Sequence, residues 1–190
     1  MDIEVTGLSK SFGETKVLKS FSGVFVEGTI TCIMGSSGCG KTTFLNILMG
    51  LVKADSGIIR GIADKKISVV FQEDRLCERF NAIDNIKIVS GKTMDRDSIK
   101  KELSLVGLVD GINKPVSTLS GGMKRRVAIV RAILADSAVI IMDEPFKGLD
   151  YETKNKVINY IEERTKEKTV IITTHSTQDI ELLKATLIQM

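Results

Sequence analysis

Apolar and polar residues alternate at the start of the chain, with Ile3 and Val5 on one side of an extended segment and Leu8 following a glycine. Val17 through Val26 carries a similar texture, with a turn expected at Ser22-Gly23. Both segments read as half-exposed strands of the antiparallel kind. Thr29-Ile30-Thr31-Cys32-Ile33-Met34 is a short apolar, β-branched run that stops at Gly35, as a strand buried on both faces does. A helix should begin near Thr42 and carry Phe44, Leu45, Ile47 and Leu48. Gly57 to Ile62 and Ile67 to Phe71 predict two further strands, the second closing at Gln72.

Beyond Gln72 the texture changes. From Glu73 to about Leu119 the pattern is helical and polar, with Ile99, Leu103 and Val106 on one face and Gly107 near its end. Ser120 then caps a strongly periodic helix through Leu134, and Val139-Ile140-Ile141-Met142 predicts another buried strand that closes on Asp143-Glu144. Val157, Ile158 and Ile161 mark a helix, and Thr169 to Thr174 a final core strand ending at His175. Strands alternating with helices imply an α/β fold with a mostly parallel sheet covered on both faces, to which the N-terminal segments add an antiparallel β part. One domain over residues 1–190 is expected, its core at 1–72 and 136–190, with an inserted helical subdomain at 73–135 that includes the helix capped by Ser120. Ligands of such a sheet bind at the carboxyl ends of its strands.

Composition narrows the class. The 190 residues are 43% hydrophobic and 27% charged, so a folded globular chain is expected rather than a disordered one. The formal charge of +3 is dispersed among alternating acids and bases, which gives no support to a nucleic-acid partner. The densest basic cluster, Lys124-Arg125-Arg126, reads as a solvated helix face. Cys32, Cys39 and Cys77 are odd in number and lack metal-like spacing, and no apolar leader follows Met1, which points to a reducing cytoplasm. No apolar run approaches the roughly 20 residues needed to cross a bilayer, so a membrane role would run through a partner.

The chemistry concentrates at strand ends. Gly35-Ser36-Ser37-Gly38-Cys39-Gly40-Lys41-Thr42 matches the phosphate-binding loop, with a strand before it and a helix after it. Its glycines let backbone N–H groups turn inward around a β-phosphate, and the free N–H groups of the following helix favour negative charge. Lys41 supplies a point charge to the β- and γ-phosphates, and the Thr42 hydroxyl is a ligand for Mg²⁺. Asp143 and Glu144 follow four apolar residues at a strand's carboxyl end. Adjacent carboxylates there take two tasks: Asp143 holds Mg²⁺ through water, and Glu144 polarises the water that attacks the γ-phosphate.

Leu119-Ser120-Gly121-Gly122-Met123, just upstream of Asp143-Glu144, resembles the signature motif of ABC ATPases. Small residues at a helix start let the Ser120 hydroxyl and the Gly121 and Gly122 amides approach a phosphate closely. The resemblance implies that this segment serves ATP bound by a second copy of the chain. It also implies a phosphate-site role for Thr43, a contact of Gln72 with Mg²⁺ and the attacking water, a contact of Asp150 with the opposite phosphate loop, and a hydrogen bond of His175 to the γ-phosphate and Glu144. Phe12 resembles the aromatic that stacks on adenine, a contact that discriminates weakly among bases.

The resemblance runs from Leu8 to about His175, in family order. Met123 stands where many members have glutamine, and Ser176 where aspartate is frequent. Because the chain stops at Met190, no regulatory C-terminal domain is expected. Phe71-Gln72-Glu73-Asp74-Arg75-Leu76 and Met123-Lys124-Arg125-Arg126 look most like the import ATPases of the nitrate, sulfonate and taurine group. The expectation is an ATP-hydrolysing subunit of a membrane transporter, at the cytoplasmic face of the membrane, closing as a head-to-tail homodimer and docking on a transmembrane permease through the insert. A soluble ABC ATPase of the iron–sulfur assembly type is the alternative; the long heptad coils of chromosome proteins and the paired domains of translation factors are not present in the sequence.

Overall fold

The computed structural model describes residues 1–91 and 94–190; positions 92 and 93 of the expected insert lie outside the described residues. Strand β1 (Ile3–Phe12) pairs antiparallel with β2 (Thr15–Phe25) across a tight turn at Gly13-Glu14, and on its other side with β4 (Ser56–Arg60). The alternation seen in the sequence places Ile3, Val5 and Leu8 of β1 and Leu18 and Phe25 of β2 in the core. β4 ends at Arg60, two residues short of the expected Ile62.

The turn expected at Ser22-Gly23 does not form, because β2 runs through it. Opposed register shifts absorb the irregularity: β1 carries the extra residue between Val5 and Leu8, and β2 between Leu18 and Phe21, where Ser20 takes φ 57°. At the first shift the Gly7 N–H, displaced from the ladder, donates to Ser22 Oγ at 2.9 Å. A serine that would suit a turn is used to satisfy a bulge.

A second, five-stranded sheet has the order β5-β6-β7-β3-β8, made of Ile67–Val70, Val139–Asp143, Thr169–Thr174, Ile30–Met34 and Thr186–Gln189, with every adjacent pair parallel. β7 is therefore not the last strand. β8 follows a short helix α6 (Thr177–Leu182) and closes the edge beside β3. Its Thr186, Leu187 and Gln189 are exposed, so an edge strand without a continuous apolar run carries no buried-strand pattern to read.

The parallel strands are apolar on both faces because each face has its own cover. Val139 and Ile141 of β6, Ile171 of β7 and Ile33 of β3 face a core shared with helix α1 (Lys41–Leu48) and the antiparallel sheet. Ile140 and Met142, Val170 and Ile172, and Cys32 face the other core. That core is built from α2 (Ala82–Ser90), α3 (Arg96–Leu105), α4 (Gly121–Leu134) and α5 (Tyr151–Arg164). Each of these helices is started by a side chain that accepts a backbone N–H: Asn81 from Asp84, Asp95 from Ser98, Ser120 from Met123 and Asp150 from Thr153. α4 lies against both α2 and β5.

Helix α1 is joined to the antiparallel sheet by aromatic packing. The Phe44 ring meets Phe21 edge-on at 4.8 Å between centroids and stacks on Phe25 at 5.7 Å. Phe44→Ala should lower the unfolding free energy by about 3–5 kcal/mol in urea denaturation followed by circular dichroism.

Candidate functional site

The loop after β3 turns into α1 at Gly40, which has φ 104°. A Cβ there would stand 2.9 Å from Val17 O and 2.8 Å from Leu18 Cδ2. Gly35 is equally confined, since a Cβ would meet Met190 O at 2.6 Å and Cys39 Sγ at 2.7 Å. Strand β2 and the end of the chain thus press the loop into a shape open only to glycine. The Lys41 ammonium bridges the loop from inside, donating to Gly35 O at 2.8 Å and Ser36 O at 3.0 Å, while Ser36, Ser37 and Gly38 are exposed.

The acidic pair arrives from β6. β7 lies between β6 and β3, and Thr173 near its carboxyl end bonds both residues of the acidic pair. Thr173 Oγ1 donates to Asp143 Oδ1 at 2.6 Å, and Thr42 Oγ1 donates to Asp143 Oδ2 at 2.8 Å. Asp143, only 7% exposed, has both oxygens engaged by hydroxyls. The same Thr173 oxygen accepts the Glu144 N–H at 2.9 Å. Glu144 is held at φ 48°, an uncommon conformation for a residue with a side chain, and that bond helps to hold it there.

Glu144 turns its carboxylate to the one histidine. His175 Nε2 lies 2.7 Å from Glu144 Oε1, and where the carboxylate is ionised the imidazole N–H is the donor. Lys147 Nζ stands 3.8 Å from the other oxygen, Oε2. The turn that carries His175 is fixed from below: Thr174 Oγ1 donates to Asp179 Oδ2 at 2.6 Å and accepts Ser176 N–H at 3.1 Å, and Lys154 Nζ donates to Asp179 Oδ1 at 2.8 Å.

These elements enclose a cleft of about 220 Å³ that brings together Ser37, Gly38, Gly40, Lys41, Thr42, Thr43, Gln72, Glu144 and His175. It shares Ser37, Gln72, Glu144 and His175 with a larger cavity of about 580 Å³ that extends to Lys147, Lys154 and Asp179. A phosphate chain would meet loop N–H groups, one ammonium and an imidazole there. The hydroxyl of Thr42, the carboxylate of Asp143 and the amide of Gln72 line one further recess of about 170 Å³, a hard-oxygen donor set that suits Mg²⁺ completed by water. The direct Thr42–Asp143 contact supports that fit, since two such donors already meet at one point.

Other expected residues lie elsewhere. Ser120, Gly121, Gly122 and Asp150 do not line these cavities of their own chain; Ser120 and Gly121 are exposed at the start of α4, and Asp150 at the start of α5. Gly122 packs beside the Gly148-Leu149 loop, where a Cβ would come within 3.4 Å of Leu149 Cδ2. The backbone N–H of Thr153 holds the Asp150 carboxyl below its ordinary range. Phe12, 52% exposed at the end of β1, has the Lys10 ammonium 5.3 Å from its ring centroid.

One expectation is corrected. Lys124-Arg125-Arg126 is not a solvated face: Arg125 is 6% exposed, and its guanidinium donates to Phe71 O at 2.6 Å and to Gln72 O. Arg126 donates to Val106 O at 3.2 Å and Gly107 O at 2.8 Å. Arginine buries well when backbone carbonyls match its planar fork, and no charge pattern in the chain reveals that match. Thr173 carried a faint signal, a hydroxyl near the end of an apolar strand; Lys147 carried none.

Against known proteins, the model of the ABC transporter family matches residues 18–147. The spermidine/putrescine import ATP-binding protein PotA of Bacteroides fragilis is 34% identical over 205 residues, covering 99% of this chain and 44% of that protein. The aliphatic sulfonates import ATP-binding protein SsuB 2 of Paraburkholderia xenovorans is 36% identical over 161 residues, covering 85% of this chain and 64% of that protein. The chain therefore spans only about half to two thirds of the length of these relatives. Among solved structures, the dimeric post-hydrolysis state of the ATP-binding cassette MJ0796 bound to ADP and Pi superposes with a TM-score of 0.81 at 27% identity, covering 95% of this chain and 90% of the other.

The Thr173 junction invites a direct test. Thr173→Val keeps the shape but strands Asp143 Oδ1 and the Glu144 N–H; it should cost about 1–3 kcal/mol of stability, measured by urea denaturation, and should shift the φ-strained Glu144 amide resonance in NMR spectra.

Proposed function

The chain belongs to the ABC transporter family, and from that membership we propose that it binds and hydrolyses ATP to power a membrane transporter whose spanning part is a separate protein. The observation that carries this reading is the run of contacts from Thr42 through Asp143 and Thr173 to Glu144 and His175, all at the open end of the parallel sheet. It sets a phosphate cradle, a metal-binding carboxylate and a base side by side.

The residues divide the work as follows. Loop N–H groups from Gly35 to Gly40 and the Lys41 ammonium hold the β- and γ-phosphates and neutralise charge that grows as the terminal bond breaks. Thr42, Asp143 and Gln72 hold Mg²⁺, which, when bound, supplies Lewis-acid polarisation of the phosphate oxygens. Glu144 orients a water and takes its proton as the water oxygen bonds to the γ-phosphorus; the bond to the bridging oxygen breaks, and ADP and orthophosphate leave. His175 holds the Glu144 carboxylate in place and lines the cleft in which the γ-phosphate would sit. Phe12 offers its exposed ring to the base.

Half of the ATP site is supplied by a twin. Ser120, Gly121 and Asp150 are exposed, and neither they nor the half-buried Gly122 line the cleft of their own chain, which supports a head-to-tail dimer in which each copy closes the other's nucleotide. Among the described residues no helix is long and apolar enough to cross a membrane, and the exposed Phe80, Ile88, Val89 and Val109 of the 73–135 segment offer apolar surface to a permease. We place the chain at the cytoplasmic face of the membrane, with the 73–135 segment as a docking subdomain. The cargo we favour is a small anion or sulfonate-like solute, on the resemblance of residues 71–76 and 123–126 to that import group. The polyamine and sulfonate importers, which match at similar identity, carry cargo of opposite charge, so the permease rather than this chain selects it.

Lys41→Ala should abolish ATP binding in equilibrium titration, whereas Glu144→Gln should retain binding and lose at least about a hundredfold in kcat. With MgATP, Glu144→Gln should elute as a dimer in size-exclusion chromatography, and co-purification should recover a multi-span membrane protein. Equal ATPase rates in Glu144→Gln and the wild type, or recovery of only a soluble assembly partner, would count against the reading.

A further inference from the structure

We propose that Arg125 is the positioning residue of Gln72: its guanidinium clamps the Gln72 backbone to α4, so that a ligand at Gln72 and the exposed Ser120 start of that helix respond together. The proposal rests on the ATPase reading only where it concerns rate.

The segment from Phe71 to Arg75 leaves the parallel sheet at the end of β5 and has no strand or helix to satisfy its carbonyls. α4 satisfies them with side chains. Arg125 donates to Phe71 O and Gln72 O, and its Nε lies 3.1 Å from Asp74 Oδ1. Farther along the helix, Arg131 donates to Asp74 O at 3.2 Å and Arg75 O at 2.9 Å. The buried Arg125 and the half-buried Arg131 therefore hold four carbonyls of this segment, with the Asp74 carboxylate at ion-pair distance. Burial raises the Asp74 carboxyl above its ordinary range against the pull of Arg125, Lys124 and Arg131, as expected for an acid enclosed in the clamp.

A planar fork makes this contact specific. Two nitrogens of one side chain donate to two carbonyls while the third stands within ion-pair distance of a carboxylate, which a single lysine ammonium cannot reproduce. Gln72 faces the cleft with Lys41 and Glu144, while its carbonyl is anchored from behind. Ser120 lies five residues before Arg125 on the same helix, roughly 8 Å along its axis, so the first turns of α4 behave as one lever. Among the described residues the hydrogen bonds and ion pair of Arg125 go to Phe71, Gln72 and Asp74 and not to the phosphate loop, so its effect on rate passes through Gln72.

Arg125→Lys and Arg125→Gln should each lower kcat by about tenfold or more while KM for MgATP stays within about twofold, because nucleotide is held mainly by the loop, Thr42 and Asp143, and the position of Gln72 bears mainly on the reaction. In a Gln72→Ala background the same substitutions should change kcat by less than about twofold; independent, multiplying losses would overturn the proposal. A readout free of turnover is amide hydrogen exchange. In the nucleotide-free chain, either substitution should speed exchange at residues 72–76 and leave β6 and β7 protected. MgATP should slow exchange at 120–123 in the wild type and not in the variants. Unchanged exchange at 72–76 would sink the clamp even if the wild type proved inactive, whereas a wild type that neither binds nor hydrolyses ATP would instead refute the proposed function. If Arg125→Lys fails to fold, as judged by its thermal transition, Arg125→Gln carries the same test.

Discussion

Everything at the open end of the sheet depends on one buried carboxylate. Asp143 has left water, and a charge so placed must be matched by donors or it destabilises the fold. Its donors are Thr42 on the first turn of α1 and Thr173 on β7, so satisfying one acid ties three elements that are distant in sequence. β6 is separated from β3 by a whole strand, and without the Thr42–Asp143 bond the loop and the acid would be neighbours only by proximity. With it, the position of the phosphate loop and that of the acidic pair are one geometric fact.

The second consequence concerns Glu144. A residue with a Cβ at φ 48° carries strain of the order of 1–3 kcal/mol, which persists only where surrounding bonds over-determine it. Thr173 takes the Glu144 N–H, and His175 meets its carboxylate. The conformation turns the side chain out of the sheet toward the cleft, just where the chain must pass from β6 into the Gly148 loop. The turn that carries His175 is itself supported by Thr174, Asp179 and Lys154, so Glu144 and its imidazole partner both rest on polar contacts to β7, α5 and α6.

The two faces of the parallel sheet divide the molecule's tasks. The face toward α1 and the antiparallel sheet is packed through Phe21, Phe25 and Phe44, and it fixes the nucleotide-side loop. On the other face, α4 is bonded by its arginines to the strand-exit segment 71–75 and presents Ser120 to solvent. A helix joined by side-chain bonds to a loop, rather than by a continuous ladder, can move as a unit when that loop moves.

Local chemistry was readable along the chain wherever it is built from neighbours in sequence. The strand that ends at Gly35, the phosphate loop, the cap Ser120, and the apolar run before Asp143 each follow from spacing, because backbone geometry and burial period act over a few residues. What spacing could not carry is who stands across the gap. That β7 lies between β3 and β6, that Thr173 joins Asp143 to Glu144, that β8 closes the edge, and that Arg125 is buried on the Gln72 carbonyl rather than bathed in water were all decided when strands paired and α4 docked. The physical reason is common to them: a hydroxyl or a guanidinium has no fixed partner in the chain, and acquires one only where packing removes water and leaves a single acceptor within reach.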